Sequence, residues 1–339
     1  MKTVPLSNPL PNAITGDRPT GCLHLGHYIG SLKNRVDLQH THNLTVLIAD
    51  TQALTDNARN PQFVQFFILQ LMRDYLAAGL DPNCVTFVLQ SKVQSLYELT
   101  ILLMNFTTVS FLERNPTIRQ EIVSRNFQRD IPAGFLCYPI SQSADIIGLG
   151  SGVVPAGIDQ QPMIETANML IDRINGFAPH TLARCSMLLS QTPRLPGTDG
   201  SGKMSKSANN TIPLVVTQDQ LKKSIHSMYT DPTHLKVSDP GKIEGNTVFS
   251  YLDAFDPRQE EVQELKDHYQ RGGLGDVVLK KRLFAVLETH LAPIRDRATH
   301  TPHDQELIQI LKSGSDKAQH TAQTQLEKIK KALNIQDLF

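Results

Sequence analysis

Cysteine is scarce in this chain of 339 residues: Cys22, Cys84, Cys137 and Cys185 are the only four, and no two form a C-x-x-C pair. That spacing excludes a disulfide framework and argues against a structural zinc, leaving ordinary reduced thiols. Long apolar runs are missing too, since none reaches the roughly 18 residues expected of a membrane span. Met1 to Pro11 holds one lysine and no extended apolar core, so no signal peptide and a cytoplasmic location are expected. Nor does one sign of charge prevail. Lys+Arg and Asp+Glu both total 33, so bulk charge does not advertise a polyanionic partner, and any nucleic-acid contact must be a local patch. Lys222, Lys223, Lys236, Lys280-Lys281-Arg282, Lys328, Lys330 and Lys331 are candidates, each more readily read as a solvated helix face.

What is present is the composition of a globular protein, with 40% apolar and 19% charged residues. The length suits one larger core with a smaller second domain. Asn12 to Thr15 is a short strand stopped by Gly16, and Leu44 to Ala49 and Val85 to Leu89 are β-branched runs that read as buried strands. Helical patterns alternate with them over Gly26 to Leu38, Phe63 to Ala78 and Leu96 to Asn105. Such alternation means βαβ units, and predicts an α/β fold with a doubly wound parallel sheet. A helical stretch around Ser143 to Ile147, the run Val153-Val154-Pro155 and a helix over Gln160 to Ile174 complete it. From about Gln191 the composition turns to Pro, Gly, Ser and Thr, as in a mobile loop rather than core. Beyond it Gln218 to Met228, Glu260 to Gln270, Val277 to Leu291 and Asp304 to Leu333 carry helical spacing. The expected division is therefore a Rossmann-like domain over 1–190, a loop over 191–210 and a helical C-terminal domain over 211–339.

Two short signatures carry the chemistry. Gly16-Asp17-Arg18-Pro19-Thr20-Gly21 joins the first strand to His24-Leu25-Gly26-His27, which opens a helix. Ligands of open parallel sheets sit beyond the carboxyl ends of strands, and a helix N-terminus offers N–H groups and a positive dipole end to anions. Gly26 permits close approach of a nucleotide, and His24 and His27 can donate to an α-phosphate as it becomes pentavalent. Taken alone, two surface histidines would look the same. Further on, Gly197 to Met204 nearly satisfies a P-loop, but Met204 stands where the magnesium-binding hydroxyl belongs, and no helical pattern follows. The other reading is a flexible loop whose Lys203 and Lys206 close on β- and γ-phosphates.

His24 to His27 and Lys203-Met204-Ser205-Lys206-Ser207, in that order, resemble the HIGH and KMSKS signatures of class I aminoacyl-tRNA synthetases. Gly16 to Leu32, Ile48 to Asp56, Tyr138 to Ile146 and Val154 to Asn175 resemble the tryptophanyl-tRNA synthetases, and the likeness runs over about residues 13–335. The resemblance implies that Asp145 accepts the indole N–H, with Gln142 beside it and Gln160 facing the substrate amino group. It places Arg18, Pro19, Thr20, Gly26 and His27 on ATP, and Gly157, Ile158 and Asp159 on its ribose. Leu195 would meet adenine through its backbone, and Lys203, Met204, Ser205, Lys206 and Ser207 would meet the phosphates. For Asp159 a helix N-cap ahead of Gln160 is a compatible second role. Gln52 and Gln142 depart from the His and Met common among bacterial members. The tyrosyl enzymes share both signatures but usually carry a Tyr at the end of the first strand, where this chain reads Ile14-Thr15-Gly16.

The reaction so implied needs ATP with Mg²⁺ carried on its phosphates, L-tryptophan and tRNA(Trp), with no metal held by the protein itself. A homodimer is implied, with apolar surface on the helices from Phe63 to Ala78 and Leu96 to Phe111, and the C-terminal domain on the anticodon side of the tRNA. Two other classes remain open. A small-molecule adenylyltransferase shares H-x-G-H but not KMSKS, and a synthetase-like paralogue could be kept for binding Trp, RNA or protein. The chain contains no tryptophan of its own, as suits an enzyme that must be made when tryptophan is short.

Overall fold

In the computed structural model, residues 10–127, 130–189, 195–202, 204 and 208–335 are described. They contain one parallel sheet of five strands: β1 (Asn12–Asp17), β2 (Asn43–Ile48), β3 (Val85–Leu89), β4 (Val153–Ala156) and β5 (Ser186–Leu189). The order is β3-β2-β1-β4-β5. From β1 the chain first builds outward through β2 and β3, then crosses back to place β4 on the other flank of β1. The order therefore reverses between β1 and β4, and in such sheets a crevice opens outside the carboxyl ends of those two strands. Helices cover both faces, which is why Ala13, Val46, Ile48 and Val88 are fully buried.

β1 does not stop at Gly16 but runs to Asp17. Gly16 is paired opposite Leu47, and a Cβ there would lie 2.6 Å from the Leu47 carbonyl oxygen. The glycine is thus a close-approach position inside the strand rather than its terminator. The helix expected over Gly26 to Leu38 is interrupted by a π-turn, Tyr28–Leu32, between Leu25–His27 and Lys33–Leu38. The short stretch read around Ser143 is part of a longer helix, Ala133–Gly148, with Pro139 inside it. Pro139 removes a backbone donor and masks the pattern, yet burial of Phe135, Ile140, Ala144 and Ile147 holds the helix together. Helix Asp276–Thr299 likewise continues through Pro293, past the expected end at Leu291. β5 and helix Thr247–Phe255 were not foreseen.

Helices Gln218–His226, Thr247–Phe255, Gln259–Arg271 and Asp276–Thr299 share a core of Leu221, Phe249, Leu252, Tyr269 and Leu283 that is continuous with Leu25, Leu32, Leu71 and Tyr75 beneath the sheet. The last helix, Asp304–Ala332, returns to the sheet and lies along β3. Gly314 meets the Phe87 backbone so closely that any side chain would overlap its carbonyl. At the next residue, Ser315 Oγ accepts a hydrogen bond from the Leu89 N–H at 3.0 Å. The helix thereby covers the outer strand and satisfies one of its donors. No helix among the described residues is long and apolar enough to cross a membrane.

Candidate active site

A cavity of about 750 Å³ opens at the carboxyl ends of β1 and β4. Arg18, Thr20, His24, Gly26, His27, Gln142, Asp145, Gly157, Ile158, Asp159, Gln160, Leu195 and Met204 all line it. The topology thus gathers into one place residues read from four separate segments. Pro19 stays outside the lining and shapes the turn in which the Thr20 N–H donates to the Arg18 carbonyl at 2.8 Å. Lys203, Ser205, Lys206 and Ser207 lie outside the described residues.

At the helix start the two histidines fix each other. His24 Nδ1 accepts from the Gly26 N–H at 3.1 Å, and His27 Nδ1 accepts from the His24 N–H at 3.3 Å. This is a capping box built from imidazoles, with the ring centroids 3.9 Å apart. A ring nitrogen that accepts carries no proton, so each neutral imidazole holds its hydrogen on Nε2. Both are therefore N–H donors without needing a positive charge.

The floor is a buried ion pair that sequence reasoning missed, although Asp17 belongs to the first signature. Arg35 forks onto both Asp17 oxygens, with the Nη2–Oδ1 bond at 3.2 Å, and the Tyr75 hydroxyl donates to Oδ2 at 2.6 Å. Burial works against the charge, but Arg35, through its charge and hydrogen bond, together with His27 and the Tyr75 hydroxyl, outweighs it and holds the Asp17 carboxyl well below the usual carboxylate range. Nothing in the sequence linked Arg35 or Tyr75 to β1; the crossover helix between β1 and β2 brings Arg35 to it, and helix Pro61–Ala78, between β2 and β3, brings Tyr75.

Tyr138, Gln142, Asp145 and Ile146 line the opposite end of the cavity. Tyr138, Gln142 and Asp145 share one face of helix Ala133–Gly148 by their spacing. Asp145 is buried, and the Gln90 amide nitrogen donates to both its oxygens, at 3.0 and 2.8 Å. Burial pushes the Asp145 carboxyl up to about 7, with Asp50 adding to the rise and Gln90 opposing it. Gln90 had no sequence signal beyond its place as a polar residue at the carboxyl end of a buried strand. Between the two ends runs a polar chain: Gln142 Nε2 donates to Gln160 Oε1, and Gln160 Nε2 to Asp159 Oδ2, both at 3.2 Å. Asp159 is not an N-cap; helix Gln161–Asn175 starts from Gln160, with Pro162 in its first turn. At the mouth, Arg18 pairs with Asp56 at 2.7 Å, and Asp56 is also held by Arg125.

The segment after 190 departs from the expectation of a loop apart from the core. Leu195, Met204, Ile212 and Leu214 are buried. The Leu25 N–H donates to the Ile212 carbonyl at 2.9 Å and the Leu214 N–H to the Leu23 carbonyl at 3.0 Å, which ties the segment to the histidine turn. Gly197 to Ser201 folds into a compact turn around Asp199, whose carboxylate accepts from the Ser201 N–H at 3.0 Å and from Asn210 Nδ2 at 3.0 Å. A Cβ on Gly26 would lie 3.1 Å from Met204 Sδ, so the two signatures meet at that glycine. The Pro- and Gly-rich composition described the backbone but not the buried Leu195 and Met204 within the loop, nor Ile212 and Leu214 just after it.

The family of class I tRNA synthetases for W and Y matches residues 8–292 of the chain. The chain is 48% identical to a tryptophan–tRNA ligase of Clostridium longisporum, covering 95% of this chain and 96% of that protein. It is 47% identical to one of Lactococcus lactis, over 96% and 98%. Among solved structures it resembles Campylobacter jejuni tryptophanyl-tRNA synthetase complexed with ADP and tryptophan, with a TM-score of 0.80 and 29% identity over 95% of this chain and 99% of that one. These likenesses span both signatures, both ends of the cavity and the helical C-terminal region, and the chain belongs to the class I tRNA synthetases, in their tryptophan–tRNA ligase branch.

Proposed function

We propose that the chain activates L-tryptophan with ATP and transfers it to tRNA(Trp). The observation that carries this reading is the cavity with two unlike ends: imidazole donors at a helix start, and a buried carboxylate opposite them. Tryptophan has one polar donor and no acceptor on its side chain, and Asp145 supplies the matching acceptor. The Gln142–Gln160–Asp159 chain lies between the ends, where the substrate amino group and the ATP ribose meet. In the first step the tryptophan carboxylate attacks the α-phosphorus, giving tryptophanyl-adenylate and pyrophosphate. Nε2 of His24 and His27 donates to the phosphate oxygens as charge builds on them, and each such donor contributes about 3 kcal/mol to the transition state. Lys203 and Lys206 draw off the β,γ-phosphates, and Mg²⁺ arrives with ATP as part of the substrate. In the second step the tryptophanyl group passes to the 3′-terminal ribose of the tRNA.

Gly26, Thr20 and Arg18 hold the phosphates, and Gly157, Ile158 and Asp159 the ribose, with adenine against the Leu195 backbone. To reach ATP, Arg18 leaves Asp56, which keeps Arg125 as its partner. Residues 1–190 form the catalytic part, 191–210 the phosphate-closing loop, and 211–339 the part facing the anticodon. The protein acts in the cytoplasm as a homodimer, and exposed Tyr97, Ile101 and Val109 on the helices after β3 offer apolar surface for it. The test is amino-acid-dependent ATP–pyrophosphate exchange with tryptophan and tyrosine in parallel. Exchange with tryptophan alone is expected. Exchange with tyrosine instead would overturn the specificity, and none with either would overturn the activity.

A further inference from the structure

At the Asp145 end of the cavity, Gln90 is almost wholly buried, at 1% exposure, just beyond β3. Its Oε1 accepts from Thr51 Oγ at 2.6 Å and from the Gln52 backbone N–H at 3.1 Å. A backbone N–H can only donate, so the atom facing it must be the amide oxygen, and the side chain cannot flip. Nε2 is thereby aimed at Asp145 and straddles both carboxylate oxygens. The Tyr97 hydroxyl donates to the Gln90 backbone carbonyl at 3.3 Å. Gln90 thus has one rotational state and one thing to offer, a pair of N–H donors.

We infer that Gln90 is a positioning residue for amino-acid recognition: it fixes the plane of the Asp145 carboxylate and keeps it an acceptor for the indole N–H. The inference rests on the tryptophan reading above. A carboxylic acid presents a hydroxyl as well as a carbonyl, and only the ionised form turns both oxygens into acceptors. Burial and Asp50, at the start of helix Asp50–Asn57, both favour the acid, and Tyr97 is the other titratable group facing Asp145. Gln90 is the group that opposes them, because a neutral amide N–H stabilises the ionised form at every pH. Thr51 and Gln52, which lock Gln90, belong to the same helix as Asp50, so that helix controls Asp145 through both a charge and a hydrogen bond.

The test is the pH profile of the KM for tryptophan in ATP–pyrophosphate exchange, measured on the full chain and on Gln90→Leu and Gln90→Glu. Losing a hydrogen bond to a charged acceptor corresponds to about one to two pH units in the midpoint of that profile, and to a KM for tryptophan raised about tenfold or more near neutrality. The KM for ATP should not move. Gln90→Glu keeps the shape and the Thr51 and Gln52 contacts but sets a carboxyl against Asp145, so it should shift the midpoint at least as far. It carries the test even if Gln90→Leu does not fold. Variant profiles that superimpose on that of the unaltered protein would overturn the inference alone. A lack of tryptophan-dependent exchange in the unaltered protein would overturn the tryptophan reading, and the inference with it.

Discussion

Asp145→Asn replaces a carboxylate by an amide of the same size, and the surrounding hydrogen bonds make its effect calculable. One new amide edge is an acceptor and the other a donor. Gln90 presents only N–H to this position, because Gln52 and Thr51 hold its oxygen. The indole also presents only N–H, so one buried donor must face another. The variant loses a hydrogen bond to a charged acceptor, about 1.5–3 kcal/mol, and strands a buried donor, a further cost of about 1–3 kcal/mol. The lower bounds together come to about 2.5 kcal/mol, and every 1.4 kcal/mol is about tenfold, so the KM for tryptophan should rise by about sixtyfold or more. The KM for ATP should stay within about twofold, since the phosphate-binding residues lie at the other end of the cavity.

Stability supplies an independent sign. The folded state raises the Asp145 carboxyl from 3.8 to about 7, so the site favours folding below the ordinary carboxylate range and loses that contribution as pH rises through about 7. A neutral amide titrates nowhere in this window, so Asp145→Asn should gain stability relative to the unaltered protein as pH rises from about 4 to about 7. Exchange kinetics and urea unfolding at two pH values measure both effects. A tryptophan KM within threefold of the original would refute the assignment of Asp145 to the indole.

In the unaltered protein the KM for tryptophan should rise about tenfold from pH 8 to pH 6, as Asp145 takes up a proton, while a flat profile would show that the carboxylate does not read the substrate. Gly26→Ala places a methyl 2.9 Å from the His24 ring and 3.1 Å from Met204 Sδ, and single-turnover adenylate formation should fall about a hundredfold with little change in Tm. Arg35→Met leaves the Asp17 charge buried without its partner and should cost about 3–5 kcal/mol in urea unfolding. Adding Asp17→Asn to that variant should restore much of the loss, and purely additive effects would contradict the pairing. Gly314→Ala should push the last helix away from the Phe87 backbone and so lower Tm in thermal unfolding.

By itself the sequence determined the kind of sheet, the positions of its first three strands and the address of the site. Short β-branched runs alternating with helical spacing require parallel pairing, and H-x-G-H after a strand places a helix N-terminus at its carboxyl end. Asp145 was legible as well, but only through its family motif, because a lone aspartate inside an apolar helix has no period or spacing of its own. Tertiary structure decided the rest. The helices through Pro139 and Pro293 run further than their sequence pattern showed, because local rules weigh a missing donor while the core weighs several buried side chains. Gly16 read as a stop because a glycine's need for space cannot be known until Leu47 is set opposite it. Asp17 meets Arg35 and Tyr75, and Gln90 meets Asp145, across separations that no local pattern spans. Such pairs are fixed by strand order and helix packing, and so the groups that tune the site's charge became visible only once the β1–β4 crevice had been built.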